Sequence, residues 1–403
     1  MTHMKTTTPP PWHLVGKHDV FPEADLDEIA RFNFLANMNR YLAETLGPGN
    51  KKTYETRVKP AFEKREGREP ASRHEIRDVM NQDSFHRVWS ALKRNTMEQR
   101  QQAGRSLVLR QIDDLVNKAT ALTEENGNLE LDPSLELPNY VAGVDHHCMP
   151  GSYHTELIPN DISAGANYDC GIFVTTGGAM GRFSDGGGQA LANFAKNDLK
   201  DFHPKRIVDV GCTVGHSLLP IAKAFPDAEV IGIDVSGAVL RYAAARAAAL
   251  DVKNISFRQL NAEDLSVIPD NSVDWVQTTM FLHETSEKSM RKMMAEFHRI
   301  LTPGGLMLHL EQPSYDDSVP LFEQFIRDWD AFNNNEPFWT RLHEMDLVAV
   351  MEEAGFHKSS HVEFKVKAVP DPVLATGDVS GKSEDHGRAA AWHAMGARKE
   401  MKG

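Results

Sequence analysis

From Arg206 onward the chain alternates short apolar runs with longer stretches of helical period. RIVDV (206–210), EVIGID (229–234), ISFRQL (255–260) and VDWVQTTM (273–280) read as strands. Their near-continuous apolar character suits strands buried on both faces of a parallel sheet. Ser236 is placed to cap an Ala-rich helix running to Leu250, Lys288–Leu301 has a helical pattern, and Gly305–Glu311 is again a strand. A helical segment over Met345–Glu353, a strand over His361–Val366 and a final strand within Ala391–Lys399 complete the series, with Pro370–Gly387 as a polar loop. This order predicts an α/β fold with helices on both faces of the sheet.

The first half has a different pattern. Residues 1–20, beginning MTHMKTTTPPPW, read as a flexible arm, and the pattern from Glu23 to Ala121 is helical. Within residues 75–100, Ile76, Val79 and Met80, then Val88, Trp89 and Leu92, recur at helical spacing, and Asp83 or Ser84 caps the second of two helices. Residues 21–140 are therefore expected to form a mostly helical domain. Residues 141–205, rich in Gly, Asn and His and weakly periodic, are expected to form a loop-rich connector that covers the site. Residues 206–403 form the sheet domain.

Composition narrows the function. A chain of 403 residues is long enough for two or three domains. Its net charge of -13, with no long basic stripe, argues against nucleic acid as a partner. No run of about 18 apolar residues predicts a membrane span. The N-terminus lacks the apolar core of a secretory signal. Cys148, Cys170 and Cys212 are scattered, without a CxxC pair, which points to a reducing compartment and a cytoplasmic protein.

The candidate chemistry starts at VDVGCTVGH (208–216). A strand ends at Asp209, Gly211 allows a tight turn, Gly215 allows close approach, and Asp234 ends the next strand where it can accept from ribose hydroxyls. A dinucleotide site requires glycine where Thr213 stands, so that the backbone can approach a pyrophosphate. Asp209 would repel a pyrophosphate but suits the ammonium of a methionine moiety. S-Adenosyl-L-methionine (SAM) is thus favoured over a nicotinamide cofactor. A nicotinamide-dependent oxidoreductase and a non-catalytic SAM-binding relative remain as alternatives.

VDVGCTVGHS (208–217), IGIDVS (231–236), NAED and IPDNSVDWV (261–276), FLHE (281–284) and RILTPGGLMLHLE (299–311), in this order, resemble the core of a class I SAM-dependent methyltransferase related to the ubiquinone/menaquinone methyltransferases. The resemblance implies a Rossmann-like seven-stranded sheet with an antiparallel last strand, for which WHAMGARK (392–399) is the candidate. It also implies that Asp209, Gly211, Cys212 and Gly215 hold the methionine end, that Asp234 holds the ribose, and that Val235 packs on adenine. Asn261 and Ala262 stand where the family has Asp-Ala beside the adenine amino group, and Glu263 or Asp264 could take over that contact. Thr278 and Thr279 should face the methyl region, and Arg182 either pairs with the methionine carboxylate or sits on the surface.

On the acceptor side, His283 is either a general base or a histidine that lines the pocket, with Glu284 as its orienting acid or a solvated one. Asp145–Glu156, DHHCMPGSYHTE, lacks the paired spacing of a metal site, so no metal is expected; Tyr153 and His154 either line a substrate pocket or belong to an ordered connector. Glu311-Gln312-Pro313 ends a strand at the acceptor edge, and NNNEPFW (333–339) is a candidate lid. The expected partner is a small-molecule methyl acceptor bearing O, N or S. The N-terminal domain covers that acceptor or mediates homodimerisation.

Overall fold

In the computed structural model, which describes residues 9–199, 201–316, 318–374 and 391–401, the apolar runs assemble into one sheet. Its strands are β1 (Leu129–Glu130), β2 (Arg206–Val210), β3 (Glu229–Asp234), β4 (Ile255–Gln259), β5 (Val273–Thr279), β6 (Leu301–Leu310), β7 (His361–Lys367) and β8 (Ala391–Arg398). They lie in the order β1-β4-β3-β2-β5-β6-β8-β7. Pairings are parallel through β6, and β8 runs antiparallel to both β6 and β7. The sequence predicts seven of these strands. The eighth, β1, pairs Leu129 with Phe257 at the sheet edge and is too short to carry a period.

Alternation along each strand feeds two cores. Ile207, Val230 and Trp275 face one side with Ala190, Leu218 and Leu240, and Val208, Ile231 and Val276 face the other with Met293, Phe297 and Val350. The capping expectations hold: Ser236 Oγ accepts from Val239 N, and Asp83 caps the helix Ser84–Leu109 by accepting from the Phe85 and His86 amides. On that helix Val88 and Leu92 point outward at 59% and 37% exposure, because the buried face runs through His86, Trp89 and Met97 instead.

Two segments differ from expectation. From residue 9 the arm is packed: Trp12 stacks on Phe32 with centroids 4.6 Å apart, and its Nε1–H donates to the Cys170 carbonyl at 2.9 Å. Residues 1–8 lie outside the described residues, as do 375–387 of the polar loop. Isolated apolar anchors in a Pro-rich string produce no period, so the sequence pattern does not show them. The stretch 141–205 holds two helices, Ser163–Thr176 and Gly186–Asn197. The first buries Ala164, Gly165, Ala166, Cys170 and Gly171 among its neighbours, so it has no polar stripe from which helical period could be read.

Asp169, on that buried helix, joins four parts of the chain. Its carboxylate meets His18 Nε2 at 3.0 Å, His216 Nε2 at 2.6 Å, the Tyr242 hydroxyl at 2.9 Å and Arg246 Nε at 3.3 Å. Burial alone would favour the neutral acid, but Arg246 and His216 outweigh it and hold the carboxyl well below its usual range. Asp169→Ala should therefore cost about 3–5 kcal/mol, because Arg246 would remain buried without a counter-charge. A denaturant midpoint lowered by that amount is expected, and a loss under about 1 kcal/mol would contradict the role given to Asp169.

Candidate active site

The chain leaves β2 towards β3 and later returns to β5 on the other side of β2, which opens a crevice at the carboxyl ends of β2 and β5. The turn after β2 fills it. Gly211 and Gly215 have φ of 69° and 75°, and a Cβ on Gly211 would lie 2.1 Å from the Phe281 ring. Thr213, between them, is also left-handed at φ 44°, and its amide donates to Asp234 Oδ2 at 3.1 Å. The Ser236 amide donates to Asp234 Oδ1 at 3.0 Å. Burial still raises Asp234 to about 6. Burial first, and then the Asp234 charge, hold Asp209 well above the usual carboxylate range. Two neighbouring carboxyls, Asp209 buried and Asp234 half-buried, without a cationic partner among the described residues, form a cradle for a positively charged ligand.

The cradle opens into a cavity of about 1090 Å³ that runs to a second cluster. Just past β5, His283 Nδ1 is 2.8 Å from Glu311 Oε1, at the end of β6. Glu311 also accepts from the Leu282 and Gln312 amides at 2.8 Å each. Opposite, His147 Nε2 lies 3.2 Å from both Glu284 Oε1 and Glu336 Oε1, and its Nδ1 hydrogen-bonds the Tyr153 hydroxyl. Burial disfavours a charged ring at His283, yet Glu311, Glu284 and Glu336 raise it to about 9. Burial likewise opposes a charge on Glu284, and His147 with His283 still hold it at about 2. A general base needs the neutral ring, so these carboxylates oppose that role for His283 near neutral pH. Its Nε2 faces Glu284 Oε1 at 3.7 Å and Glu336 Oε2 at 4.0 Å.

The N-terminal helices roof the cavity through Asn39, Leu42, Trp89 and Met97. Arg100 lines it too, 2% exposed and without an ion pair among the described residues. All three cysteines are free. Among the described residues no helix is long and apolar enough to cross a membrane.

Residues 207–305 match the family model of a methyltransferase domain. The chain carries a methyltransferase domain. Over 123 residues it is 39% identical to a demethylmenaquinone methyltransferase of Symbiobacterium thermophilum, covering 30% of this chain and 45% of that one. Over 114 residues it is 31% identical to a trans-aconitate 2-methyltransferase of Deinococcus radiodurans, covering 27% of this chain and 40% of that one. A solved structure of a phosphoethanolamine N-methyltransferase 2 from Haemonchus contortus aligns over 58% of each chain at 17% identity, with a TM-score of 0.40. The chain spans about half the length of the curated relatives it matches.

SAM is the cofactor that goes with a methyltransferase domain, and the cradle fits it. The two uncompensated carboxyls, Asp209 and Asp234, suit a ligand carrying an ammonium and a sulfonium. Of the residues singled out in the sequence, Asp209, Gly211, Cys212, Asp234, Val235, Asn261, Ala262 and Thr279 line the cavity together with Tyr153, His154, His283 and Glu284. Gly215 shapes the turn without lining it. Asn261 Oδ1 already accepts from the Glu263 amide at 3.0 Å, which occupies one of its two lone pairs.

Three other candidate residues lie outside the cavity. Thr278 faces away, its Oγ1 2.8 Å from His309 Nδ1, because neighbouring residues on a strand point to opposite faces. Glu263 turns outward to Lys292 Nζ at 2.7 Å. Arg182 pairs through Nε with Asp371 at 3.2 Å and does not line the cavity. Sequence reasoning missed Glu311 as the partner of His283, although it is an acid at the carboxyl end of a strand. Glu336 and Arg100 gave no signal beyond lying in a candidate lid and on a long helix.

Thr213 is a β-branched residue held at positive φ, a strain of about 1–3 kcal/mol that glycine would not carry. Glycine loses about 0.5–1 kcal/mol more chain entropy on folding. Thr213→Gly should therefore leave a net gain, read as a higher denaturant midpoint. A lower midpoint would show that the Thr213 side chain stabilises the turn.

Proposed function

We propose that this chain is a SAM-dependent methyltransferase acting on a small-molecule O, N or S acceptor bound between the sheet edge and the N-terminal helices. The observation that carries this reading is the pair of carboxyls, buried Asp209 and half-buried Asp234, without a cation among the described residues and opening into one cavity with His283. SAM would supply a methyl group activated on a sulfonium, passed to the acceptor as the carbon–sulfur bond breaks and S-adenosylhomocysteine leaves. The protein's own work is then mostly orientation and exclusion of water, which in favourable cases lowers barriers by roughly 7–11 kcal/mol. Asp234 holds the ribose hydroxyls and Asp209 the ammonium. His283, fixed through Nδ1 by Glu311, stands at the acceptor end. Tyr153 and His154 line the acceptor end. Arg100 supports an acceptor bearing an anionic group, since a buried cation without a counter-ion is costly. His283→Ala should lower kcat/KM for the acceptor by roughly 5–150-fold, the scale of one lost contact of about 1–3 kcal/mol, with SAM affinity kept. An unchanged kcat/KM would remove His283 from the acceptor site.

Calorimetric titration of the cofactor-stripped protein with SAM, S-adenosylhomocysteine and NAD(H) tests the reading. Micromolar binding of the first two and none of NAD(H) is expected, and binding of NAD(H) alone would overturn it. The binding should depend on pH. Asp234 accepts from the ribose hydroxyls more strongly as a carboxylate, and burial raises it to about 6. SAM affinity should thus fall as the pH drops through about 6, by less than about tenfold per unit. Asp234→Asn should bind more weakly by about 1–3 kcal/mol and lose most of that pH dependence.

A further inference from the structure

Three segments distant in sequence bring imidazoles and carboxylates to one point at the acceptor end of the cavity. His147, Glu284 and Glu336 each offer a donor atom within 4.8 Å of the other two. His147 Nε2 is 3.2 Å from an oxygen of each acid, and His283 Nε2 lies 3.7 Å from Glu284 Oε1 and 4.0 Å from Glu336 Oε2. Donors about 2.0–2.2 Å from one divalent ion, at tetrahedral or octahedral angles, stand about 3–3.5 Å apart, the spacing His147 shows to both acids. The far nitrogens of both rings are already engaged, by the Tyr153 hydroxyl and by Glu311 at 2.8 Å. Metal-binding imidazoles are fixed in this way.

A second observation points to a missing ligand. Glu336 Oε2, Glu284 Oε2 and His146 Nε2 are buried atoms without a hydrogen-bond partner, and Glu336 and His146 are only 2% and 4% exposed. His146 Nε2 lies 3.5 Å from Glu284 Oε2, on the same side of the cluster. His147 takes up φ 52°, which turns the two adjacent histidines so that both rings reach this point.

We infer that His147, Glu284 and Glu336, with His283, form a binding site for a divalent first-row transition-metal cation. The donors are nitrogen and carboxylate oxygen. The nearby Cys148 thiol instead contacts Asn334 Oδ1 at 3.7 Å. This set suits Mn²⁺, Fe²⁺, Co²⁺ or Zn²⁺. Such an ion would hold an oxygen-bearing acceptor beside the methyl group. That last step rests on the methyltransferase reading, whereas binding of the ion does not. The expectation of no metal came from sequence spacing, which cannot register acids 137 and 189 residues away from His147.

The test uses the full chain, stripped with a chelator and without SAM. It is titrated with Co²⁺ followed by visible absorption and with Mn²⁺ followed by paramagnetic resonance. One equivalent should bind. Glu336→Gln and His147→Gln should weaken binding at least as much as the loss of a positioning partner, Tyr153→Phe, which is expected to cost about 10–100-fold. Unfolding curves identify any variant that fails to fold, and Tyr153→Phe, which removes one oxygen, keeps the test open in that event. Absence of stoichiometric binding at millimolar cation, or binding that these substitutions leave unchanged, overturns the site. Cation binding by a protein that ignores SAM would overturn the methyltransferase reading and leave the site standing.

Discussion

A carboxylate sealed from water holds the N-terminal third of this protein to its sheet. Asp169 is 3% exposed and touches groups from the arm, the turn after β2 and the helix Gly237–Ala249. A charge in such a place is costly unless its partners stay in position. Pulling the arm away would strip His18 from it, and moving the turn would strip His216. The roof of the cavity and the cofactor turn are therefore fixed relative to each other by one buried anion. The enclosed space between them follows from that restraint.

The same restraint separates what could be read in the chain from what could not. β2 to β6 show in the sequence because strands buried on both faces are apolar throughout. Asp209, Gly211 and Asp234 show because each stands where such a run stops. The packed arm does not, since Trp12 and Val20 are single anchors whose partners lie elsewhere in the sequence. The helix Ser163–Thr176 is buried on all sides, so the contrast on which helical period depends is absent.

Site residues divide along similar lines. Position at a strand end predicts which residues reach the crevice, but a single step along the strand decides which face they take. Thr279 lines the cavity and Thr278 bonds to His309. Adjacency makes Glu284 one candidate partner of His283, yet the closer carboxylate is Glu311, delivered by the adjacent strand of the sheet. Sequence adjacency is a weak guide when the next strand lies about 4.8 Å away and brings its own acid.

The two ends of the cavity are electrostatically unlike, and this gives the molecule its polarity. At the cofactor end, Asp209 and Asp234 have no cation of their own, so burial drives both towards the neutral acid until a positive ligand arrives. At the other end, the carboxylates of Glu284, Glu311 and Glu336 are already faced by the imidazoles of His147 and His283, with Arg100 on the same wall. The turn thus favours a positively charged ligand, and the cavity runs on from it to the paired cluster. The fold achieves this with residues from opposite halves of the chain: the sheet supplies the acids at the turn, and the N-terminal half supplies Arg100 and His147 opposite them.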